Sequence, residues 1–81
     1  MSYGHLHMGL LKAIVDVVRA GDPRRPFSTI DVTEQLLRQN WWGWRSPKTP
    51  ERTVNSYCSQ NTDVFDHVGP DMYRLKQHLW Q

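Results

Sequence analysis

The spacing of apolar residues changes once along this chain, and that change limits the folds open to it. Up to Asn61, apolar residues recur every three or four positions, as in helices packed on one side. Beyond it the period changes, and residues 64–68 and 72–76 are predicted to be two short strands, with Tyr73 and Leu75 facing inward and Arg74 and Lys76 outward. A Gly-Pro-Asp sequence at residues 69–71 predicts a tight turn between these strands. The sequence therefore predicts a mainly helical α+β fold: three helices followed by a two-stranded β-hairpin.

The first two helices have recognisable ends. The first is predicted over about residues 8–20, where Gly21 ends it. The second is predicted over about residues 28–40, with Ser28 or Thr29 as its N-cap. Its apolar side is expected to consist of Ile30, Val32, Leu36 and Leu37.

The third helix has the clearest start, because Thr49 suits the N-cap, Pro50 the first helical position and Glu51 the positive end of the helix dipole. Its buried stripe is predicted to be Val54, Tyr57 and Cys58. At about 100° per residue, the other side presents Arg52, Asn55, Ser56, Ser59 and Gln60. These side chains offer many hydrogen-bonding groups, whereas an ordinary solvated helix carries Glu and Lys there.

Length and composition restrict the class of protein. A chain of 81 residues makes one domain, and its lone cysteine, Cys58, excludes an internal disulfide. We therefore expect a reducing location, cytoplasmic, nucleoid-associated or nuclear. No apolar run is long enough for a membrane span, and no secretory signal is recognisable. The net charge of +2 is compatible with an anionic partner.

The expected organisation is one folded domain over residues 8–76 with two short flanks. Residues 1–7 are interpreted as a disordered terminus or an expression remnant, and residues 77–81 as a tail. We expect such a domain to be a module of a larger protein or a small regulator.

Two stretches carry a resemblance to a known family: PFSTIDVTEQLLRQN at residues 26–40 and TPERTVNSYCSQNTDVFDHVGPDMYRLK at residues 49–76. They resemble winged helix-turn-helix domains, and residues 8–76 are similar to the HARE-HTH modules found beside nucleases and chromatin factors. The shared motifs are Thr49-Pro50, Phe65, Val68-Gly69 and Tyr73-Arg74-Leu75.

This resemblance implies that the third helix enters the major groove of double-stranded DNA. The implied base and phosphate contacts are Arg52, Asn55, Ser56, Ser59 and Gln60. The hairpin, or wing, is short and acidic at residues 69–71, so its insertion into DNA is not expected. Its candidate phosphate contacts are Arg74 and Lys76.

The loop before the third helix reads WWGWRSPKTP at residues 41–50 and holds three tryptophans. Its candidate DNA contacts are Trp41, Trp42, Trp44, Arg45, Lys48 and Thr49. Three interpretations stay open. At least one indole closes the core, an exposed indole contacts DNA, or exposed indoles bind a protein partner.

A narrower resemblance concerns methylated DNA. In combining tryptophan with an asparagine on the third helix, the chain is similar to winged helices of methyl-directed restriction endonucleases. Those domains read N6-methyladenine with aromatic side chains. The resemblance implies a targeting module of a restriction-type or regulatory protein that reads this base.

The sequence gives little indication of a catalytic site or a metal site. His5 and His7 could hold a metal only with further ligands, and His67 and His78 are isolated. No zinc-ligand spacing, glycine-rich phosphate loop or catalytic triad is recognisable. We expect a binding domain that is not an enzyme, with no cofactor, metal, membrane or small-molecule substrate.

Overall fold

The computed structural model describes residues 2–80, with side chains described for residues 9–80. The elements are α1 (Ser2–Ala20), β1 (Phe27–Ser28), α2 (Thr29–Arg38), α3 (Pro50–Gln60), β2 (Phe65–Gly69) and β3 (Met72–Leu75), with short 3-10 turns at Gly43–Arg45 and Gln77–Leu79. Three helices thus precede an antiparallel hairpin, which is the architecture of a winged helix-turn-helix. The predicted fold class is confirmed.

The helix ends follow the capping signals in the sequence only in part. Ser28 caps α2, with its Oγ accepting a hydrogen bond from the Ile30 amide at 3.1 Å. Thr49 precedes α3 but makes no side-chain cap hydrogen bond. Beyond α2, Asn40 adopts a left-handed φ of 53°, which turns the chain into the tryptophan-containing loop. At the amino end, α1 begins at Ser2, earlier than predicted.

The sheet has one strand more than the sequence predicted. β3 lies in the centre, with β1 and β2 antiparallel on its two sides. β1 pairs Phe27 with Tyr73 and so joins the start of α2 to the hairpin. A strand of two residues is too short to show an alternating pattern, so periodicity could not reveal it.

The hydrophobic core lies between the three helices and the inner face of the sheet. Its buried residues are Leu10, Ala13, Ile14, Val18, Val32, Leu36, Val54, Cys58, Phe65, Tyr73 and Leu75. The inward orientation predicted for Tyr73 and Leu75 is confirmed. Burial also raises the pKa of the Cys58 thiol to about 12, which keeps it protonated and poorly nucleophilic.

The predicted buried side of α2 is half wrong. Ile30 and Leu37 are 48% and 46% exposed, and two threonines take the expected places in the core. Thr33 is tolerated there because its hydroxyl donates to the Thr29 carbonyl at 2.7 Å. With both threonines turned inward, the apolar Ile30 and Leu37 lie on the outer side of the helix.

The segment after β3 packs onto the domain. Trp80 donates its indole hydrogen to the Leu75 carbonyl at 2.8 Å, and Arg19 of α1 donates to the Leu79 carbonyl at 2.8 Å. Trp80 is also partly buried against the core. The interpretation of residues 1–7 as a disordered terminus or expression remnant stays a prediction, and the side chains of His5 and His7 lie outside the described part of the chain. No helix within residues 2–80 has the length and apolarity needed to cross a membrane.

Candidate nucleic-acid interface

The outer side of α3 is open to solvent. Val54 and Cys58 bury the inner side at 0% and 1% exposure, and Tyr57 is half-buried against the core. The exposed residues of the helix include four of the predicted contacts: Arg52, Ser56, Ser59 and Gln60. One of these hydroxyls is already used locally, since Ser59 donates to the Ser56 carbonyl at 3.0 Å. Donors and acceptors nevertheless dominate this surface.

Three cations gather around the start of α3: Arg45, Lys48 and Arg52 are all exposed. The two ion pairs among the side chains of residues 9–80 lie elsewhere, on α1 and in the hairpin. The three cations therefore have no carboxylate partner within that range. Their charge is available to an anion, and the backbone before Pro50 leads directly into the positive end of α3.

The loop that carries the tryptophans is held by main-chain hydrogen bonds. The Trp41 amide donates to the Leu36 carbonyl at 3.0 Å, and the Arg45 amide donates to the Trp42 carbonyl at 3.1 Å. The intervening Gly43 has a φ of 62°, a value that side chains rarely tolerate. These main-chain contacts form a defined turn, and the Ser46 hydroxyl adds a hydrogen bond to the Pro47 carbonyl at 3.4 Å.

The three indoles of this loop have different surroundings. Trp42 is half-buried against the core, and Trp41 stacks edge-on against it with 5.5 Å between ring centroids. Trp41 also lies over α1, since a Cβ added at Gly9 would meet its ring at 3.9 Å. Trp44 is 89% exposed and contacts Arg45, whose guanidinium carbon lies 5.3 Å from the ring centroid. One indole closes the core, as expected, and another projects into solvent.

The turn of the wing is bound to the helix-turn-helix. Asp71 has a left-handed φ of 57°, and its carbonyl accepts a hydrogen bond from the Thr29 amide at 2.9 Å. Its carboxylate accepts a hydrogen bond from Nδ2 of Asn55 at 3.1 Å. Asn55, a predicted DNA contact, is therefore half-buried and already engaged by an acidic residue.

The cations of the hairpin also differ from each other. Arg74 is exposed and has no carboxylate partner among residues 9–80. Lys76 is half-buried and forms an ion pair with Asp66 across the hairpin. The hydrogen bond and charge of Lys76 hold the pKa of Asp66 below its ordinary value. Of the two predicted wing contacts, Lys76 is the one held in an ion pair; Arg74 lies opposite Asp66 in the hairpin and acts on it only through its charge.

A shallow groove lies between the start of α2, the outer side of α3 and the wing turn. Its lining includes Ile30, Glu51, Arg52, Asn55 and Asp71. Ile30 and Asp71 were not among the predicted contacts. No local pattern marks them, because Ile30 fits a helical core stripe and Asp71 fits an ordinary turn. Among the side chains of residues 9–80, no three His, Cys, Asp or Glu residues lie close enough to hold a metal ion.

Comparison with protein-family models identifies the family to which this domain belongs. Residues 10–78 match the HARE-HTH family model, whose description names a helix-turn-helix domain of ASXL proteins and restriction endonucleases. The chain belongs to the HARE-HTH family. This HARE-HTH domain is a helix-turn-helix of the DNA-binding kind, and nucleic acid is the partner that the family suggests. Comparisons with curated proteins and with solved structures gave no match.

Proposed function

We propose that this HARE-HTH domain binds double-stranded DNA, with the outer side of α3 in the major groove. The observation that carries the proposal is the surface of α3: it is exposed, rich in hydrogen-bonding groups and bordered by cations that have no carboxylate partner within residues 9–80. An α-helix fits the width of the major groove, and base edges there present donors and acceptors. A helix that only faces solvent usually carries Glu and Lys at these positions instead.

Phosphate contact is proposed for the amino end of α3 and the loop before it. Arg45 and Lys48 are exposed, and Thr49 leaves the first turn of the helix without a side-chain cap. Phosphates bind favourably at such helix ends, where amide groups and the dipole favour negative charge. Arg74 extends the contact along the backbone, whereas Lys76 contributes less because Asp66 neutralises it.

Base contact is proposed for Arg52 and Ser56, with Ser59 and Gln60 closer to the end of α3. Arginine pairs with guanine through two hydrogen bonds, and serine accepts or donates to several bases. These contacts would specify sequence, while the phosphate contacts would set position.

Trp44 is proposed to supply apolar contact with a methyl group in the groove, that of thymine or of N6-methyladenine. Its exposure of 89% and its contact with Arg45 support this role, because an indole beside a cation suits both an apolar group and a nearby phosphate. In this proposal the domain is the targeting module of a restriction-type or regulatory protein. Trp41 and Trp42 act mainly as supports for the loop.

The first experiment measures duplex binding at several salt concentrations. A randomised duplex pool should bind, and the affinity should fall linearly with salt on a double-logarithmic plot. Arg52→Ala should weaken binding by about tenfold, roughly 1.4 kcal/mol. Lys12→Ala, which removes a cation that pairs with Asp16 on the exposed side of α1, is the control and should change binding little. Affinity independent of salt, or equal losses in the two variants, would contradict the proposal.

Methyl reading requires a second experiment on one duplex with and without N6-methyladenine. Preference for the methylated duplex by about tenfold, lost in Trp44→Ala, is the expected result. Equal affinities for both duplexes would remove methyl reading and leave DNA binding intact.

The exposure of Trp44 also favours a second function, the binding of a protein partner through the tryptophan-containing loop. In that case Trp44→Ala should abolish capture of the partner while Arg52→Ala leaves it unchanged. Loss of DNA binding in Arg52→Ala alone would favour the first function.

A further inference from the structure

Asp71 holds the tip of the wing through its main chain. Its φ of 57° lies in the left-handed region, which Asp and Asn tolerate better than other residues with side chains. Its carbonyl accepts hydrogen bonds from the amide and the Oγ1 of Thr29, at 2.9 Å and 3.4 Å. The turn is thereby attached to the first residue of α2, and the Asp71 carboxylate is held beside α3.

This carboxylate selects one orientation of the Asn55 amide. Oδ1 of Asp71 lies 3.1 Å from Nδ2 of Asn55. An ionised carboxylate can only accept hydrogen bonds, so it binds the nitrogen and leaves the Asn55 carbonyl oxygen directed away from it. An amide nitrogen carries two hydrogens, and Asp71 uses one. Asn55 therefore keeps one acceptor and one donor for another group.

The surroundings of Asn55 suit a base edge better than a phosphate. The groove that it lines holds two carboxylates, Glu51 and Asp71, which repel phosphate and accept hydrogen bonds from amino groups. Arg52 lines the same groove, and Ile30 supplies an exposed apolar surface. The groove is therefore rich in hydrogen-bond acceptors where Glu51 and Asp71 line it.

We propose that Asp71 is a positioning residue, which orients Asn55 to read adenine through its major-groove edge. This inference rests on the DNA-binding function proposed above. Adenine fits best, because its N6 amino group and N7 acceptor complement the free oxygen and remaining N–H of Asn55. Cytosine also carries a groove-facing amino group, whereas guanine and thymine present carbonyl oxygens to the same position.

In this orientation Asn55 cannot be the residue that reads N6-methyladenine. An adenine methylated on N6 retains one amino hydrogen, and pairing with thymine uses it. The adenine read by Asn55 is therefore unmethylated, and any methyl group contacted by Trp44 belongs to a different base.

Selection from a randomised duplex library tests the role of Asp71. The unaltered domain, Asn55→Ala and Asp71→Asn are each used to enrich binding sites. Because each duplex position holds a base pair, the readout is the pair, and the unaltered domain should enrich an A·T pair over a G·C pair at one position. Asn55→Ala should lose that preference, and Asp71→Asn should reduce it by about tenfold, since an asparagine at residue 71 can bind either end of the Asn55 amide. Preferences at other positions should persist.

Base preference is the readout because overall affinity would mislead. Removing the Asp71 charge should strengthen binding to every duplex, while preference at one position falls. Asparagine tolerates a left-handed backbone and retains the carbonyl that binds Thr29, so Asp71→Asn is expected to fold. Thermal unfolding checks this, and Asp71→Gly, which also tolerates that backbone, replaces it if needed.

Three results would overturn the inference. If the unaltered domain enriches no sequence and binds no duplex, both the DNA-binding function and this inference fail. If it binds DNA but no position depends on Asn55, or that position favours a G·C pair, the inference alone fails. The same holds if Asp71→Asn keeps the full preference.

Discussion

Two segments border the open side of α3, and they use their side chains in opposite ways. The loop over residues 41–48 is held by main-chain hydrogen bonds and by the half-buried Trp42, and its cations and Trp44 are exposed. The wing turn is held by Asp71, whose carbonyl binds Thr29 and whose carboxylate binds Asn55. A segment fixed through its backbone can offer its side chains to a ligand. The wing turn is also fixed through its backbone, but the Asp71 carboxylate binds Asn55 and so shapes the surface beside it.

Two tryptophans of the loop, Trp42 and Trp44, provide the largest test of this comparison. Trp42→Ala should lower the free energy of unfolding by about 2–3 kcal/mol, somewhat less than for a fully buried indole. Trp44→Ala should change it by less than about 0.5 kcal/mol, because an exposed side chain loses few contacts. Urea unfolding of both variants measures the difference. Equal losses would mean that Trp44 supports the loop, and the loop would then have no free indole.

The charges of the two segments give the next largest effect. The double variant Arg45→Ala and Lys48→Ala should weaken duplex binding by roughly 10- to 30-fold, about 1.4–2 kcal/mol. It should also flatten the salt dependence by about two phosphate contacts. The matched double variant, Arg74→Ala and Lys76→Ala, should lose about threefold or less, because Asp66 already neutralises Lys76. Equal losses would show that the wing contacts DNA as strongly as the loop.

The features of this region that depend only on neighbouring residues could be predicted from the sequence. The buried side of α3 followed from local spacing, since Val54 and Cys58 are both fully enclosed. The outer position of Arg52 followed from the same spacing. Such predictions need only neighbouring residues, because the geometry of a helix fixes which side chains share a side.

Other features depend on residues far apart in the chain. Ile30 was assigned to the core because an isoleucine in a helical stripe usually lies there, but buried Thr29 and Thr33 satisfy their hydroxyls through local carbonyls or the wing. Asp71 and Asn55 are separated by 16 positions, and only the sheet brings them together. Spacing cannot reveal a contact that depends on how the hairpin folds back.

The backbone of the wing turn gives a smaller effect on stability. Asp71→Ala should destabilise the domain by about 1 kcal/mol more than Asp71→Gly, because alanine is strained at a φ of 57° and glycine is not. Both variants lose the hydrogen bond to Asn55, so their difference isolates the strain. Chemical unfolding measures both free energies. Equal stabilities would indicate that the turn relaxes and that its main chain, unlike that of the loop, is not fixed.

The smallest expected effect comes from the ion pair inside the wing. The pKa of Asp66 is lowered, first by its hydrogen bond to Lys76, so its stabilising contribution is complete above the ordinary value of 3.8. That contribution is lost as the pH falls through the lowered pKa, because protonation removes the charge that Lys76 binds. The difference in unfolding free energy between the unaltered domain and Asp66→Asn should therefore shrink between about pH 5 and about pH 2. Lys76→Met should shrink the pH dependence in the same way, since it removes the other partner. A difference that stays constant with pH would mean that solvent screens the pair completely, leaving Lys76 as free as Arg74 to meet a phosphate.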